Sequence, residues 1–465
     1  MNLQKPPRYL LASILCSCGG LLFGMDTGII GPVTVMNHFV AQFGNQSATV
    51  HGLIVSSILI PAAISSFFAG YLADRLGRPT GISIGALIFG IGAALEAAAV
   101  HLAMFVVGRC IEGIGEGLYL GTLVRPGALT TGPQLLITLG LVTGFFTCYG
   151  TSRIDSSFSW RTPFIILACF SAVFSVAAYL WLTPSPRWLT LHGRKSEAAE
   201  TWDLLGVGSN THQAELGRQH AEARPQEKPT KHGFFDLFSR DVRTHTALAV
   251  FLMGMQQLSG IDGVLYYAPL LFEQAGLASP EASFFACGVS AIVIFAVTIP
   301  ALIWADKWGR RHSIVYGGLG LSITVFLIGA LHASQTVHSS TGASRWVVIV
   351  SIYISAVIYS LSWAVGFKIY AAEIQPQRTR ASATSLAHGS NWTTNFLVAL
   401  TTPILLSTSS FGAYFLFGGC ALLTAFICAV LMPETKGRSL DEIEEAFKWK
   451  VLGKQNLAKV FPLLR

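Results

Sequence analysis

Gln256, Gln257, Ser259, Asp262, Tyr266 and Tyr267 set two carboxamides, a hydroxyl, a carboxylate and two phenols inside a run, 246–272, that is otherwise apolar. A carboxamide offers a donor and an acceptor from one group, which suits a solute with paired hydroxyls, and aromatic rings can cover C–H faces. The chemistry on offer is reversible binding of a hydroxylated solute. A run of that length reads as a membrane-spanning helix, where such groups are costly unless they line a wet cavity. Gly260 and Gly263 weaken the helix just there, and interrupted helices at mid-membrane are where transporters place substrate sites. Gln256, Gly260, Gly263 and Tyr267 share one helical face while Gln257 and Asp262 need another, which a broken helix accommodates. The competing reading is adhesion between packed helices through the same amides.

A second set of groups could move protons. Asp26, Arg109, Glu112 and Glu116 are ionisable side chains within apolar runs, and intramembrane ionisable residues are functional candidates. Arg109, Glu112 and Glu116 stand at i, i+3 and i+7, along one helix face. One guanidinium cannot neutralise three carboxylates, so the surplus is expected to be protonated part of the time, as proton coupling requires.

The elements that must position these groups follow from composition. At 52% hydrophobic and 12% charged, the chain is too apolar for a soluble domain. The net charge of +7 does not indicate nucleic acid, because most of the 31 Lys and Arg fall on one side of the topology below, as the positive-inside bias requires. Apolar runs lie at about 10–32, 52–72, 81–100, 103–124, 128–150, 163–182, 246–272, 282–304, 313–333, 346–371, 382–407 and 411–432. The pattern predicts an all-α polytopic membrane protein: twelve transmembrane helices in two pseudo-symmetric six-helix bundles, 1–183 and 244–432. Between them, 184–243 reads as a cytoplasmic linker with short amphipathic helices at 195–205 and 215–223, and 433–465 as a cytoplasmic tail. The first run lacks a small-residue cleavage site and is expected to be retained.

An internal repeat supports the division. Asp74-Arg75-Leu76-Gly77-Arg78 after the second run returns as Asp306-Lys307-Trp308-Gly309-Arg310-Arg311 after the eighth. Two halves with the same turn chemistry imply a cavity between them, closed alternately from each side. In such loops Asp caps a helix N-terminus and Arg reaches helix C-terminal carbonyls, so the cluster can latch the cytoplasmic face. The eight cysteines all lie in apolar runs without metal-ligand spacing and read as small core residues. A sequon at Asn45 suits an outer loop, and a second at Asn391 lies inside a span. No P-loop, nucleophile or metal constellation appears in the sequence, so neither an ATP-driven pump nor an enzyme is indicated and no cofactor is expected.

The ordered set of these loops with Gly108-Arg109, Pro186-Arg187-Trp188-Leu189, Gln256-Gln257, Tyr266-Tyr267, the segment from Glu373 through Pro376 to Arg380, and Pro433-Glu434-Thr435-Lys436-Gly437 resembles the sugar porter branch of the major facilitator superfamily, in a fungal-type form, over essentially the whole chain. The resemblance implies a sugar pocket of Phe23, Gln134, Gln256, Gln257, Tyr266, Tyr267 and Asn391, with Asp262 and Lys368 as variant positions. It implies proton coupling at Asp26 with Arg109 as its partner, the alternative being a permanent ion pair joining the first and fourth spans. The cytoplasmic gate it implies comprises Asp74, Arg75, Arg78, Asp306, Arg310, Arg311, Glu373 and Arg380. Trp392 and Tyr370 are expected to pack or gate.

Several positions depart from the family. Asp262 stands where Asn is usual, and Lys368 where Trp is usual. Either the two pair and leave a neutral-sugar site, or Lys368 receives the carboxylate of a sugar acid. The connection after the fourth span is about ten residues shorter than in the family, which predicts a span that barely crosses. The reading is a secondary active transporter importing a monosaccharide or sugar acid with a proton, most simply across the plasma membrane. The alternatives are a facilitative uniporter, or a non-transporting sensor or remnant.

Overall fold

The computed structural model describes residues 8–123, 131–184, 186–191, 193–205, 237–239, 242–277, 280–304, 307–337, 342–376, 379–437 and 442. Among these the regular structure is helical, with no strand. Ahead of the linker lie α1 (Arg8–Thr34), α2 (Asn37–Phe43), α3 (Ala48–Ser56), α4 (Leu59–Leu76), α5 (Arg78–Ala97), α6 (Leu102–Leu123), α7 (Thr131–Thr151) and α8 (Phe158–Trp181). The linker carries α9 (Pro186–Leu191) and α10 (Lys195–Leu205). After it come α11 (Arg243–Gln257), α12 (Ile261–Tyr266), α13 (Ala268–Gln274), α14 (Pro280–Trp304), α15 (Arg310–Ala333), α16 (Ser344–Glu373), α17 (Arg380–Thr408) and α18 (Gly412–Leu431).

Ten described stretches are long and apolar enough to cross a membrane. Two more helices complete the twelve spans: α6, made less apolar by Arg109, Glu112 and Glu116, and α17, which carries Asn391 and Asn395. The chain is thus a multi-pass membrane protein of two six-span halves. As expected, the fourth span crosses with little to spare: α6 has 22 residues, about 33 Å against a hydrocarbon core of about 30 Å. The shortened connection, 124–130, and the helix expected at 215–223 lie outside the described residues.

Small residues set the spacing in the first half. A Cβ on Gly24 would collide with the Ile137 carbonyl oxygen of α7, so the stripe Gly20, Gly24, Gly28 lets α1 and α7 touch backbone to backbone. That close fit fixes the rotation of α1 and turns Asp26 into the bundle, where it is 3% exposed. In the second half the seventh span is broken twice. Gly260 adopts φ 79°, a left-handed conformation that ends α11 and starts α12, and Pro269 sits in the first turn of α13, where its missing N–H is harmless.

On the linker side, the N-terminus of α15 is capped from the chain beyond α18. Glu434 accepts from the backbone N–H groups of Arg310 (2.8 Å), Arg311 (3.2 Å), Thr435 (3.1 Å) and Lys436 (3.2 Å). Burial alone would raise its pKa, but these donors hold the carboxyl below the usual carboxylate range. Because the folded-state pKa is depressed, the stabilisation is complete above the unfolded value and is lost as pH falls through the folded one. Glu434→Gln is therefore expected to destabilise the protein by about 1 kcal/mol at neutral pH. In thermal melts of the detergent-solubilised chain, the gap to wild type should narrow below about pH 4; a gap independent of pH would contradict the cap.

Candidate functional site

Two polar centres face the interior. The first is built on α1, α5 and α6. Arg109 Nη1 donates to Asp26 Oδ1 and, at 3.0 Å, to Glu112 Oε2, with Glu96 Oε2 at 3.9 Å. Glu96, Arg109, Glu112 and Glu116 are each no more than 1% exposed. Three carboxyl groups, Asp26, Glu96 and Glu112, therefore lie within 4 Å of one guanidinium, with Glu116 farther along α6. Both carboxyl oxygens of Glu96 and Oε1 of Glu112 are buried without a hydrogen-bond partner among the described residues. Both oxygens of Glu116 are buried without a hydrogen-bond partner among the described residues. The cation thus has more than one buried carboxyl group within reach.

The second centre is a knot of amides between α11 and α17. Asn391 Nδ2 donates to the Met253 carbonyl (2.7 Å) and to Gln256 Oε1 (3.1 Å), while Gln257 Nε2 donates to Asn391 Oδ1 (3.2 Å). Gln256 Nε2 donates in turn to the Trp363 carbonyl at 3.0 Å. Gln256 is thus fully engaged within the half, whereas Gln257 Oε1 has no partner among the described residues. The same is true of Asn395 Oδ1, one turn beyond Asn391. Two buried acceptors without donors are what an incoming hydroxyl group would satisfy. A small apolar cavity lined by Gly263, Thr402, Tyr414 and Phe417 lies behind α12 and includes neither Gln257 nor Lys368.

The halves meet around these centres. Phe23 of α1 packs edge-on against Trp392 of α17, centroids 6.0 Å apart. Lys368 Nζ on α16 donates to Gln134 Oε1 on α7 at 3.0 Å. The Asp262–Lys368 ion pair, one of the two readings of these positions, is not formed: the break at Gly260 puts Asp262 on its own short helix beside Gln257, and the Lys368 ammonium bonds the amide of the other half instead. Farther toward the Asn45 side, Tyr267 donates to the Ala399 carbonyl (2.6 Å) and its ring stands edge-on to His51 at 5.2 Å. Tyr266 is 4% exposed, with Asn395 Nδ2 donating to its hydroxyl at 3.5 Å. Both tyrosines are therefore buried in this conformation, Tyr267 against His51 of the first half.

The gate residues divide. Arg310 Nη2 reaches Glu373 Oε1 at 3.4 Å, and Arg311 Nη2 donates to the Ala429 carbonyl at 2.6 Å near the C-terminus of α18. These contacts latch the second half to itself. Glu434 supplies an acidic cap to α15. Arg75 is exposed and donates to Tyr71 Oη at 3.4 Å, and Arg78 is partly buried. Asp306 and the side chains of Asp74 and Arg380 lie outside the described residues. Tyr370 is a packing residue, its hydroxyl donating to the Pro433 carbonyl at 3.3 Å. Glu96, Asn395 and Glu434 were not singled out as site residues from sequence; the signal for Glu96 was a lone carboxylate in an apolar run, and for Asn395 its i+4 spacing from Asn391.

Comparison with known proteins places the chain in a family. Residues 12–447 match the family described as "Sugar (and other) transporter". The arabinose-proton symporter of Escherichia coli is 30% identical over 451 residues, spanning 94% of this chain and 92% of its own. Sugar transport protein MST3 of rice is 29% identical, spanning 94% and 89%. Among solved structures, the proton:xylose symporter XylE of E. coli bound to 6-bromo-6-deoxy-D-glucose superposes with a TM-score of 0.77 at 26% identity, over 94% of this chain and 99% of that one. These relatives are transporters and not enzymes, and their transport needs no cofactor. With a match this long and an interior of this kind, the chain belongs to the sugar transporter family of the major facilitator superfamily.

Proposed function

We propose that the chain imports a monosaccharide, neutral or carboxylated, together with a proton, by alternating access across the plasma membrane. The observation that carries the coupling is the buried Asp26–Arg109 contact between α1 and α6, one turn from Phe23 and its cross-half contact with Trp392. A proton on Asp26 weakens its attraction for Arg109, and Glu112 stands ready to keep the guanidinium neutralised. The pair is therefore an element whose equilibrium both the proton and the packing between halves can bias. Support also comes from the named functions of relatives, which include proton symporters for arabinose and xylose.

The test is uptake by the purified chain in proteoliposomes carrying a pH-sensitive dye. Addition of sugar should acidify the lumen, and a protonophore should abolish accumulation above the external concentration. Sugar entry that neither moves protons nor responds to the protonophore would instead mark a uniporter. Within the pocket, Gln257→Ala is expected to raise KM about tenfold or more with little change in maximal rate, because Gln257 Oε1 is an acceptor left open for the solute. An unchanged KM would remove Gln257 from the pocket.

A further inference from the structure

We infer that the cargo carries a carboxylate and that Lys368 receives it; this deepens the transport reading above and rests on it. Lys368 lies within α16, the 30-residue span that ends at Glu373. Its side chain is exposed, yet Gln134 of α7 contacts it and Asp262 of α12 and His388 of α17 lie within electrostatic reach. An exposed side chain enclosed by three other helices lines an internal cavity, not the lipid-facing surface. Its only direct polar contact among the described residues is the donation to Gln134 Oε1, a neutral amide. An ammonium has three N–H donors, so two remain for a ligand.

The contrast with Arg109 is instructive. There, carboxylates of the protein itself contact the cation directly and leave no room for a substrate anion. At Lys368 the nearby carboxylate, Asp262, offsets part of the charge from a distance without occupying any of the ammonium's donors. A cation left in this state at membrane depth is unfavourable, and an anionic ligand relieves it on binding. The open acceptors Gln257 Oε1 and Asn395 Oδ1 complete the chemistry by taking hydroxyl protons. One cation with two hydroxyl acceptors fits a monoanionic sugar acid, a hexuronate or an aldonate, better than a neutral hexose, which would leave the ammonium with only the distant, partial compensation of Asp262.

The test compares galacturonate and gluconate with galactose and glucose, using wild type, Lys368→Gln and Lys368→Arg in the same proteoliposomes. Each purified protein is also melted in detergent with and without sugar, so that binding is read even where turnover is lost. The acids should be taken up and should raise the melting temperature. Lys368→Gln should raise KM for galacturonate roughly 10- to 100-fold, at least tenfold more than it raises KM for galactose, and Lys368→Arg should recover part of the loss. Galactose uptake that galacturonate does not inhibit would overturn the inference and leave sugar transport standing. Equal loss for both sugars in Lys368→Gln would overturn it too, since that pattern marks a structural bridge to Gln134. Movement of none of the four sugars would refute the transport reading and this inference with it.

Discussion

Asp26→Asn is expected to reduce steady-state accumulation of sugar to the external concentration while leaving sugar-for-sugar exchange across the membrane intact. The variant keeps the shape of the side chain but cannot ionise, so no proton is taken up or released there. With a neutral sugar, a proton crossing the membrane potential supplies about 2.3 kcal/mol per 100 mV, roughly a 50-fold accumulation ratio; one proton with a monoanion moves no net charge and draws on the pH difference alone, and in either case the proton's contribution should disappear. Exchange survives because the amide pocket belongs to α11 and α17, which the substitution does not touch. The protein should also remain folded, since Arg109 retains Glu112 at 3.0 Å and Glu96 at 3.9 Å as counter-anions. Arg109→Leu makes the useful contrast: it strands three buried carboxyl groups without a cation, a change of the kind that costs about 3–5 kcal/mol, so it should lose folded protein and not coupling alone. If Asp26→Asn still concentrates sugar against a gradient, the proton is carried elsewhere and Glu96, Glu112 and Glu116 become the candidates.

The sequence made the broken seventh span readable because the cause is local. Gly260 and Gly263 beside two glutamines disfavour a continuous helix whatever surrounds them, and the structure breaks at Gly260. The partnership of Asp26 with Arg109 was readable only through family resemblance, since nothing in the intervening residues says that α1 packs near α6. Glu96 was overlooked for the same reason: its proximity to Arg109 exists only once α5 and α6 lie antiparallel, with Gly92 pressed against the Glu112 backbone. Glu434 is a loop acid until the end of α18 is folded back over α15. The partner of Lys368 was the hardest to foresee. Choosing between Asp262 and Gln134 depends on how the two halves stand relative to each other, a property of the conformational cycle that local sequence does not encode.

The closure between the halves leads to the last expectation. Gly31→Val and Gly52→Val should each lower the transport rate about 100-fold while leaving the protein folded. A Cβ on Gly31 would collide with the Tyr266 carbonyl oxygen, and one on Gly52 with the Leu400 carbonyl oxygen. Both collisions cross from one half to the other, α1 onto α12 and α3 onto α17, near the side where Tyr267 meets His51. Backbone carbonyls cannot move aside as a flexible side-chain tip can, so the outer closure seen here would be destabilised by about 3 kcal/mol, a shift of roughly 100-fold in the ratio of states. Within each half neither glycine carries the burden of packing that Gly24 does, so each bundle should persist and sugar should still bind from outside. Hydrogen exchange would report the change directly, with faster exchange confined to α3, α12 and the outer part of α17, and sugar would still raise the melting temperature. Wild-type uptake by Gly31→Val would mean that the outer side need not close this tightly during transport, and the contact would then be a resting arrangement and not a step of the cycle.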